Sequence, residues 1–475
     1  MSETLADLVA CEDVLMFVNA AITSTGQREF HEGEGGQRLS LGFLHDYMLV
    51  NYRDLYASAL ALDISDHNAA LIVRNLLVSA ADAGGPERRR AEGRLIAARL
   101  RRLPPQRVLR VFRDLRRAGV NNRRTRAILR DWLASRPDPA FDAVKYRSAI
   151  KDAVRHAHLN PGGELGAFLF DPHGRASFRT PLFETWRRAH YEHAALYELP
   201  YTVAEGFAAK HGIPREVFLE RIEPRMTRLE RLRLQENARE RKVAEVGTDL
   251  SAMPLTRLSS YVLSLPLDDR VQRRDELTTA LRVSARRTAG PGAGQWGRVA
   301  AVLDDSFSTT GSGHKRRRPL AVALACHYLL QALATHYTPL WTSRRTDELL
   351  LYPFGPTPLG ERILDALDTG PERLVIVSDG FDNAPPGLAR EVLQVWRTRL
   401  DPHHRVSIVH LNPVYDAEDF DVRRLAPGVP AAGIRDAEDL PALVELARFA
   451  EGRAGMDEVR AYIGERVARF TGENR

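Results

Sequence analysis

Five oxygen-bearing side chains in the last third of the chain have the types and spacing to bind a divalent cation. Asp304, Ser306 and Ser308 form a D-x-S-x-S pattern directly after a short apolar run. Thr357 precedes a proline at the start of a helical pattern, and Asp379 ends another apolar run. Carboxylate and hydroxyl oxygens are hard ligands, which Mg²⁺ accepts while it retains bound waters. The alternative is structural, because serine and aspartate at these positions also cap helices.

A second set of side chains has donors suited to the phosphates and riboses of a nucleic acid. Residues 145–161 read KYRSAIKDAVRHAHLNP, and on a helix their donors recur at i, i+4 and i+7: Lys151, Arg155 and His158. A neighbouring apolar stripe consists of Ile150, Val154 and Ala157. Such a helix can bury the apolar stripe and present the three donors to a ligand. The alternative is a solvated basic face with one capping histidine.

Positive charge is concentrated in the same part of the chain. Lys and Arg total 68 against 62 Asp and Glu, and the excess lies before residue 295, whereas the remainder is mildly acidic. Sixteen arginines lie between Arg88 and Arg130. Arginine suits bidentate phosphate contact and stacking on bases. For any single one of them, however, a solvated helix face is the simpler interpretation.

Motifs of common enzymatic chemistry are missing from the sequence. It has no G-x-x-x-x-G-K-[ST] loop, no H-E-x-x-H and no nucleophile elbow. A G-x-G-x-x-G occurs at residues 292–297, but it precedes a strand pattern instead of following it, so we interpret it as a linker. We therefore expect no catalytic activity. A hydrolase that uses the metal site is a further alternative, although no base or nucleophile is evident.

Helical periodicity dominates the sequence before residue 290. Apolar residues recur three and four apart in segments bounded by proline and glycine, which indicates helices with short connections. Such a succession is typical of a stacked array of helix pairs. One helix is predicted to begin near Ser65 or Asp66. The others are predicted at residues 94–103, 105–118, 123–135, 180–197, 203–211, 215–235 and 254–263.

Short β-branched runs appear after residue 297. Runs at residues 298–303, 374–377 and 406–411 are typical of strands covered on both faces, and helical patterns separate them. The sequence therefore predicts a multidomain α + α/β protein. Its predicted parts are an α-helical HEAT-like repeat solenoid over residues 1–289, a linker over 290–297, and a doubly wound parallel sheet over 298–475.

The cysteines and the N-terminus limit the class of protein. Cys11 and Cys326 are far apart in apolar surroundings, which excludes a disulfide-rich scaffold and a cysteine-based zinc cluster. The N-terminus lacks the basic start of a secretory signal, and no apolar stretch approaches the roughly 18 residues of a membrane span. We expect a cytoplasmic protein without a membrane partner.

The D-x-S-x-S, Thr and Asp pattern resembles the metal-ion-dependent adhesion site (MIDAS) of von Willebrand factor A domains, in which these residues follow one another at strand and loop ends. The resemblance implies a divalent metal, expected to be Mg²⁺. Its ligands would be Asp304, Ser306, Ser308, Thr357 and Asp379. The chain departs from the family at residues 309–318, where it inserts a long basic loop that is either solvated or able to contact a polyanion.

Motifs in the helical part are similar to the TROVE domain, which the Ro autoantigen shares with its bacterial relatives. They are Arg126-Ala-Ile-Leu-Arg-Asp-Trp132, Lys145-Tyr146, Lys151-Asp-x-x-Arg155-x-x-His158-Leu-x-Pro161, Leu196-Tyr-Glu-Leu-Pro200 and Met253-Pro-Leu-Thr-Arg-Leu258. The family also places a von Willebrand A domain after its helices, and its helical repeats close into a ring. Carried over by position, the RNA-contact candidates are Lys145, Arg147, Lys151, Arg155 and His158.

The TROVE resemblance implies a non-catalytic ribonucleoprotein component. Such a protein binds small structured noncoding RNA of the Y type and single-stranded ends of misfolded RNA, as a scaffold or quality-control factor, and DNA is not an expected partner. The alternative is a metal-dependent protein-interaction adaptor. In that case the A domain would hold an acidic side chain of a partner such as a chaperone-like ATPase or a nuclease.

Overall fold

The structure combines many α-helices with one parallel β-sheet, as the sequence predicts. This computed structural model describes residues 5–28, 34–174, 177–227, 230–231, 250–447 and 456–472. Contacts group the chain into two compact units. We name residues 1–69 with 249–475 the sheet unit, and residues 70–248 the helical unit. None of the helices in the described ranges has the length and apolar content that a membrane crossing requires.

The sheet unit begins with helices that precede the helical unit in the chain. They are α1 Leu5–Thr23, α2 Glu34–Asn51, α3 Arg53–Ser58 and the start of α4 Asp66–Val78. Asn19 on α1 accepts a hydrogen bond of 3.0 Å from the backbone of Gly433, far away in sequence. A Cβ on Gly433 would lie 2.6 Å from Thr23 Cγ2, so this close approach requires glycine. These long-range contacts explain why residues 1–69, which the sequence pattern groups with the later helices, belong to the sheet unit.

Ten helices follow in the described part of the chain. They are α5 Pro86–Arg102, α6 Pro105–Arg117, α7 Arg123–Ala134, α8 Pro139–Lys145, α9 Arg147–His156, α10 Gly163–Phe170, α11 Pro181–Arg188, α12 His193–Leu196, α13 Tyr201–Lys210 and α14 Arg215–Ile222. Proline occupies the first turn of α5, α6, α8 and α11, where its missing N–H costs nothing.

Two of the predicted helices are shorter in the structure. The helix predicted at 180–197 is wrong as a single element, because α11 and α12 are separate. In the helix predicted at 215–235, α14 ends at Ile222, and a short 3₁₀ turn at Glu223–Arg225 follows, which contains Pro224. Part of that segment, residues 228–229 and 232–235, lies outside the described residues.

Three helices of the helical unit end in the same backbone motif. The second residue after the end of α6, α9 and α13 has a positive φ. The third residue donates its N–H to the carbonyl of the residue five positions earlier in the chain. These are the hydrogen bonds of a Schellman C-cap. The left-handed position is Gly119 after α6, Gly212 after α13 and His158 after α9, with φ of 69°, 66° and 53°. A repeated helix end of this kind accords with a repetitive helical architecture.

The remaining helices belong to the sheet unit. They are α15 Leu255–Ser264, α16 Leu267–Gln272, α17 Arg274–Ala289, α18 Arg318–Leu333, α19 Leu359–Asp368, α20 Leu388–Val395, α21 Leu440–Ala447 and α22 Met456–Thr471. Helix α17 ends at Ala289, directly before Gly290 with φ of 50°. The segment predicted as a linker, residues 290–297, therefore begins where a helix ends.

The sheet has five parallel strands. They are β1 Arg298–Leu303, β2 His336–Trp341, β3 Arg373–Val377, β4 Ser407–Asn412 and β5 Ala431–Gly433, in the order β2-β1-β3-β4-β5. The three apolar runs are confirmed as β1, β3 and β4. Strand β2 is an edge strand that is mostly exposed and contains Pro339, and β5 has only three residues. Neither has the pattern of a buried strand, and the sequence analysis missed both.

The strand order determines where a ligand site can lie. This order is common in doubly wound α/β folds, and ligands bind outside the carboxyl ends of strands where the order reverses. Here the reversal occurs between β1 and β3, which pair with Leu303 opposite Val377. Asp304 and Asp379 lie in the segments that follow these two strands. The topology therefore brings the ends of two distant segments to one edge of the sheet.

Candidate metal centre and RNA-contact surface

Asp304 is fixed at the carboxyl end of β1 by polar contacts from three directions. Its N–H donates to Val377 O at 3.0 Å, which continues the pairing of β1 with β3. Its Oδ1 accepts from the N–H of Ser306 at 2.9 Å and from the hydroxyl of Thr342 at 3.2 Å. Its Oδ2 accepts from the hydroxyl of Ser378 at 3.1 Å. The carboxylate is therefore held in one orientation.

Two buried carboxylates interact at this edge of the sheet. Asp304 is 1% exposed and Asp379 is 3% exposed. Burial, and then the negative charge of Asp379, raises the pKa of Asp304 above its ordinary value. Ser306 is also buried, and its hydroxyl lies 3.1 Å from that of Ser308. Two carboxylates and two hydroxyls thus collect where the strand order reverses.

The loop that carries Thr357 lies beside the D-x-S-x-S loop. Phe354 N donates to Asp305 O, and Phe307 N donates to Gly355 O, each at 3.0 Å. Thr357, two residues farther along, is 1% exposed. Backbone pairing thus brings four of the five predicted ligands onto two adjoining loops. Asp379 follows β3, which pairs with β1, and its neighbour Ser378 contacts Asp304.

This donor set fits a divalent cation. All the candidate ligands are hard oxygens, and a cation would offset the repulsion between the two buried carboxylates. Within the described residues, no group of three or more His, Cys, Asp or Glu side chains is arranged to hold a metal. The five predicted ligands include only two such side chains, Asp304 and Asp379, so they are not a group of that composition. The five residues would hold the metal through two carboxylates and three hydroxyls.

The helix-cap interpretation of the same residues fails for Ser306. Ser306 precedes the 3₁₀ turn Phe307–Thr310, but its side chain makes no capping hydrogen bond there. Asp379 does accept the N–H of Phe381 at 3.1 Å, which is a local turn contact. The hydroxyl of Ser306 instead lies 3.1 Å from that of Ser308.

The basic loop at residues 309–318 is largely attached to the sheet unit. Arg317 donates to Leu263 O, and Arg318 donates to the carboxylate of Asp436 at 2.7 Å. Lys315 contacts Thr23 O at 3.4 Å. Three of its cations are thus engaged within the protein, so the loop presents less positive charge to a polyanion than its sequence indicates.

Several side chains at this edge were missed by the sequence analysis. Asp305, next to Asp304, accepts from the hydroxyl of Thr342 at 2.8 Å and from the N–H of Ser343 at 2.8 Å. It anchors the neighbouring loop. Phe307 and Phe354 are 62% and 57% exposed on the two loops of the candidate metal site. The sequence gives no signal for this exposure, because phenylalanine is usually buried.

Helix α9 of the helical unit has the two faces that its sequence predicts. Ile150, Val154 and Ala157 are buried. Arg155 is exposed and Lys151 is half-buried on the other side. The helix ends at His156, whose Nε2 lies 2.9 Å from Val120 O, and it is therefore attached to the loop after α6.

His158 differs from its predicted position. It was expected on the helix at i+7, but it lies two residues past the end of α9, with φ of 53°. Its side chain is exposed. A residue with a Cβ costs roughly 1–2 kcal/mol in this conformation, and such strain is typical of functional sites.

The other two RNA-contact candidates differ in their contacts. Arg147 donates to Phe168 O at 3.0 Å and to Leu169 O at 2.8 Å, and burial lowers the pKa of its guanidinium. These bonds satisfy the last carbonyls of α10, so Arg147 has a structural role there. Lys145 is half-buried at the end of α8, with Nζ 5.3 Å from the centre of the Phe141 ring. Lys145, Lys151, Arg155 and His158 therefore remain as donors that a ligand can reach, and the last three lie on or just after α9.

Sequence comparisons do not assign the chain to a family. No protein-family model matches it, and a search of curated proteins gives no significant match. What can be said of its function therefore rests on the metal-site residues of the sheet unit and on the α9 surface of the helical unit.

Proposed function

We propose that this protein is a non-catalytic RNA-binding protein whose helical unit contacts RNA through α9 and the residues just after it. The observation that supports this is the division of α9 into a buried apolar stripe and a face with Lys151 and Arg155. His158 adds an exposed imidazole in a strained backbone position. Ammonium, guanidinium and imidazole groups together suit phosphate and ribose oxygens.

The resemblance to the TROVE domain supports the class of ligand. On that basis the proposed RNA is a small structured noncoding RNA of the Y type, together with single-stranded ends of misfolded RNA. The protein would act as a scaffold or quality-control factor in a ribonucleoprotein. The proposed architecture of its helices is a HEAT-like solenoid that closes into a ring, and the shared C-cap of α6, α9 and α13 supports such a repeat.

The test removes two positive charges from α9 and compares the change in RNA affinity with that caused by removing two positive charges from α17. We expect the double variant Lys151→Ala/Arg155→Ala to bind a small structured RNA at least tenfold more weakly at moderate salt, by fluorescence anisotropy. The matched control is Arg282→Ala/Arg286→Ala, which removes the same charge from exposed positions of α17. RNA affinity that falls equally in both pairs would point to unspecific attraction, and unchanged affinity in the α9 pair would refute the proposal.

A second function is compatible with the first and uses the sheet unit. In it, the candidate metal centre holds Mg²⁺, and a partner's carboxylate completes the metal's coordination shell. The exposed Phe307 and Phe354 on the metal-site loops favour this reading, because aromatic residues are enriched in protein interfaces. The protein would then be an adaptor for an ATPase or nuclease partner, through a von Willebrand A-like domain.

Metal binding is tested by calorimetry with Mg²⁺ alone. We expect Asp304→Asn to abolish the binding heat, because the neutral amide cannot replace the buried carboxylate. Asp368→Asn, an exposed aspartate at the end of α19, is the matched control and should bind as the unsubstituted protein does. Equal binding by the two variants would exclude Asp304 as a ligand.

A further inference from the structure

One exposed aromatic ring lies among the accessible donors of the helical unit. Phe170 is the last residue of α10, directly after the buried Phe168 and Leu169, and it is itself 38% exposed. Arg155 Cζ lies 5.3 Å from the centre of its ring, and Lys151 Nζ lies 5.9 Å from it. A ligand can therefore reach the ring of Phe170 and the two cationic groups beside it at the same time, which is not possible for a buried phenylalanine.

The position of this ring is fixed by the end of α10. Arg147 donates to the carbonyls of Phe168 and Leu169, the two residues before Phe170. The Arg147 guanidinium also packs on Phe168 and Trp186, at 5.5 and 5.2 Å from the ring centres. The helix end that presents Phe170 is therefore rigidly held, and little ordering entropy is lost when a ligand contacts the ring.

The charges near the ring favour an anionic strand. The carboxylate of Asp152 on α9 lies 3.6 Å from the guanidinium of Arg116 on α6. The carboxylate of Asp171 lies against Gly174, in the space that a Cβ on Gly174 would occupy. Lys151 and Arg155 are thus the charges in contact with the Phe170 ring.

We infer that Phe170 stacks on an unpaired base of the bound RNA, while Lys151 and Arg155 contact the phosphates of the same strand. This inference rests on the proposed RNA-binding function and specifies its ligand as a single-stranded segment. An aromatic face beside cations is the stacking platform that single-strand-binding proteins use, and it accepts any base. A duplex buries its base faces within its own stack, so Phe170 adds nothing to duplex binding.

The decisive comparison uses an oligouridine of about ten nucleotides and an RNA duplex of about sixteen base pairs, both measured by anisotropy. We expect Phe170→Leu to bind the oligouridine about tenfold more weakly, and the duplex within twofold of the unsubstituted protein. Phe170→Trp should keep or improve oligouridine affinity, because it retains an aromatic face. Phe43→Leu, which removes a ring that is 58% exposed on α2 of the sheet unit, is the control and should change neither affinity.

Salt and fluorescence provide the independent readouts. The salt dependence of oligouridine binding should be unchanged in Phe170→Leu, which removes no charge, but weaker in Lys151→Ala/Arg155→Ala. If Phe170→Leu fails to fold, tryptophan fluorescence decides the question, measured against the unsubstituted protein because the chain has five tryptophans of its own. Greater quenching by oligouridine in Phe170→Trp supports stacking, and equal quenching in the two proteins overturns it.

The two proposals fail in different ways. Unchanged oligouridine affinity in Phe170→Leu, with weaker binding in Lys151→Ala/Arg155→Ala, overturns stacking and leaves RNA binding by α9 in place. An equal loss for oligouridine and duplex in Phe170→Leu also overturns the single-strand assignment. Unchanged affinity in both variants overturns the proposed function together with the inference.

Discussion

At the scale of single residues, the same residue type has different roles at neighbouring positions. Asp304 and Asp305 follow the same strand and both accept from the hydroxyl of Thr342. Asp304 also accepts from the N–H of Ser306, a candidate metal ligand, whereas Asp305 accepts from the N–H of Ser343. His156 and His158 form a similar pair, because His156 contacts Val120 O and His158 is exposed. The contacts of a residue decide its role, and its type alone does not.

His158 allows a direct test of strain at a proposed RNA-contact position. It occupies the left-handed position at which α6 and α13 have Gly119 and Gly212. We expect His158→Gly to stabilise the helical unit by up to about 1 kcal/mol, because glycine removes the Cβ conflict at that φ. RNA affinity should nevertheless fall several-fold, because the imidazole is lost.

Urea unfolding and RNA anisotropy on the same preparation measure the two effects of His158→Gly. Gly119→Ala is the reverse control and should destabilise the unit by about 1 kcal/mol, because alanine is strained at φ of 69°. A His158→Gly variant that loses stability would show that the imidazole, and not the backbone, dominates at this position.

At the scale of elements, a buried polar network joins the first helices of the sheet unit. His45 is on α2. Its Nε2 atom lies 3.1 Å from Asn68 Oδ1, and its Nδ1 atom lies 2.8 Å from the hydroxyl of Tyr56. Asn68 Oδ1 can only accept, so Nε2 carries the proton and Nδ1 accepts from Tyr56. Burial lowers the pKa of His45 to about 4, so the ring is neutral in the folded protein.

The neutral His45 makes stability depend on pH in a defined direction. Between pH 4 and 6.5 the unfolded chain binds a proton that the folded chain does not, so the contribution of His45 to stability is lost as the pH falls from 6.5. The slope approaches about 1.4 kcal/mol per pH unit and the total is about 3 kcal/mol. We expect His45→Gln to flatten the urea-unfolding free energy against pH by this amount, whatever its effect on stability at neutral pH.

The control for His45→Gln is His336→Gln, which changes an exposed histidine on the edge strand β2. It should leave the pH profile of the unfolding free energy as it is in the unsubstituted protein. An unchanged profile in His45→Gln would mean that the folded protein accommodates a charged His45.

At the scale of the whole molecule, the two proposed activities belong to different compact units. The metal-site residues follow strands of the sheet unit, and the RNA-contact residues lie in and after α9 of the helical unit. We therefore expect Asp304→Asn to leave RNA affinity within twofold, and Lys151→Ala/Arg155→Ala to leave the Mg²⁺ binding heat unchanged. Anisotropy and calorimetry on both variants check this. A large effect of either variant on the other ligand would reveal coupling between the activities.

Elements with a purely local signal could be predicted from the sequence alone. Strands β1, β3 and β4 are apolar throughout because both faces of a parallel strand are buried, and helix α6 shows its period from end to end. The amphipathic character of α9 follows from the same period. The five candidate metal ligands were also readable, because each stands just after a strand or at the start of a helix.

Features that depend on contacts between distant parts of the chain could not be predicted in this way and are seen only in the folded protein. Residues 1–69 belong to the sheet unit because α1 approaches Gly433, a contact that no local pattern encodes. Strand β2 is held at the edge by pairing with β1, although its own residues are largely exposed. Arg147 is withdrawn from the surface by carbonyls twenty residues farther along, and Phe170 is exposed by the packing of its neighbours. Local periodicity specifies elements, whereas burial and exposure at a site depend on which elements meet.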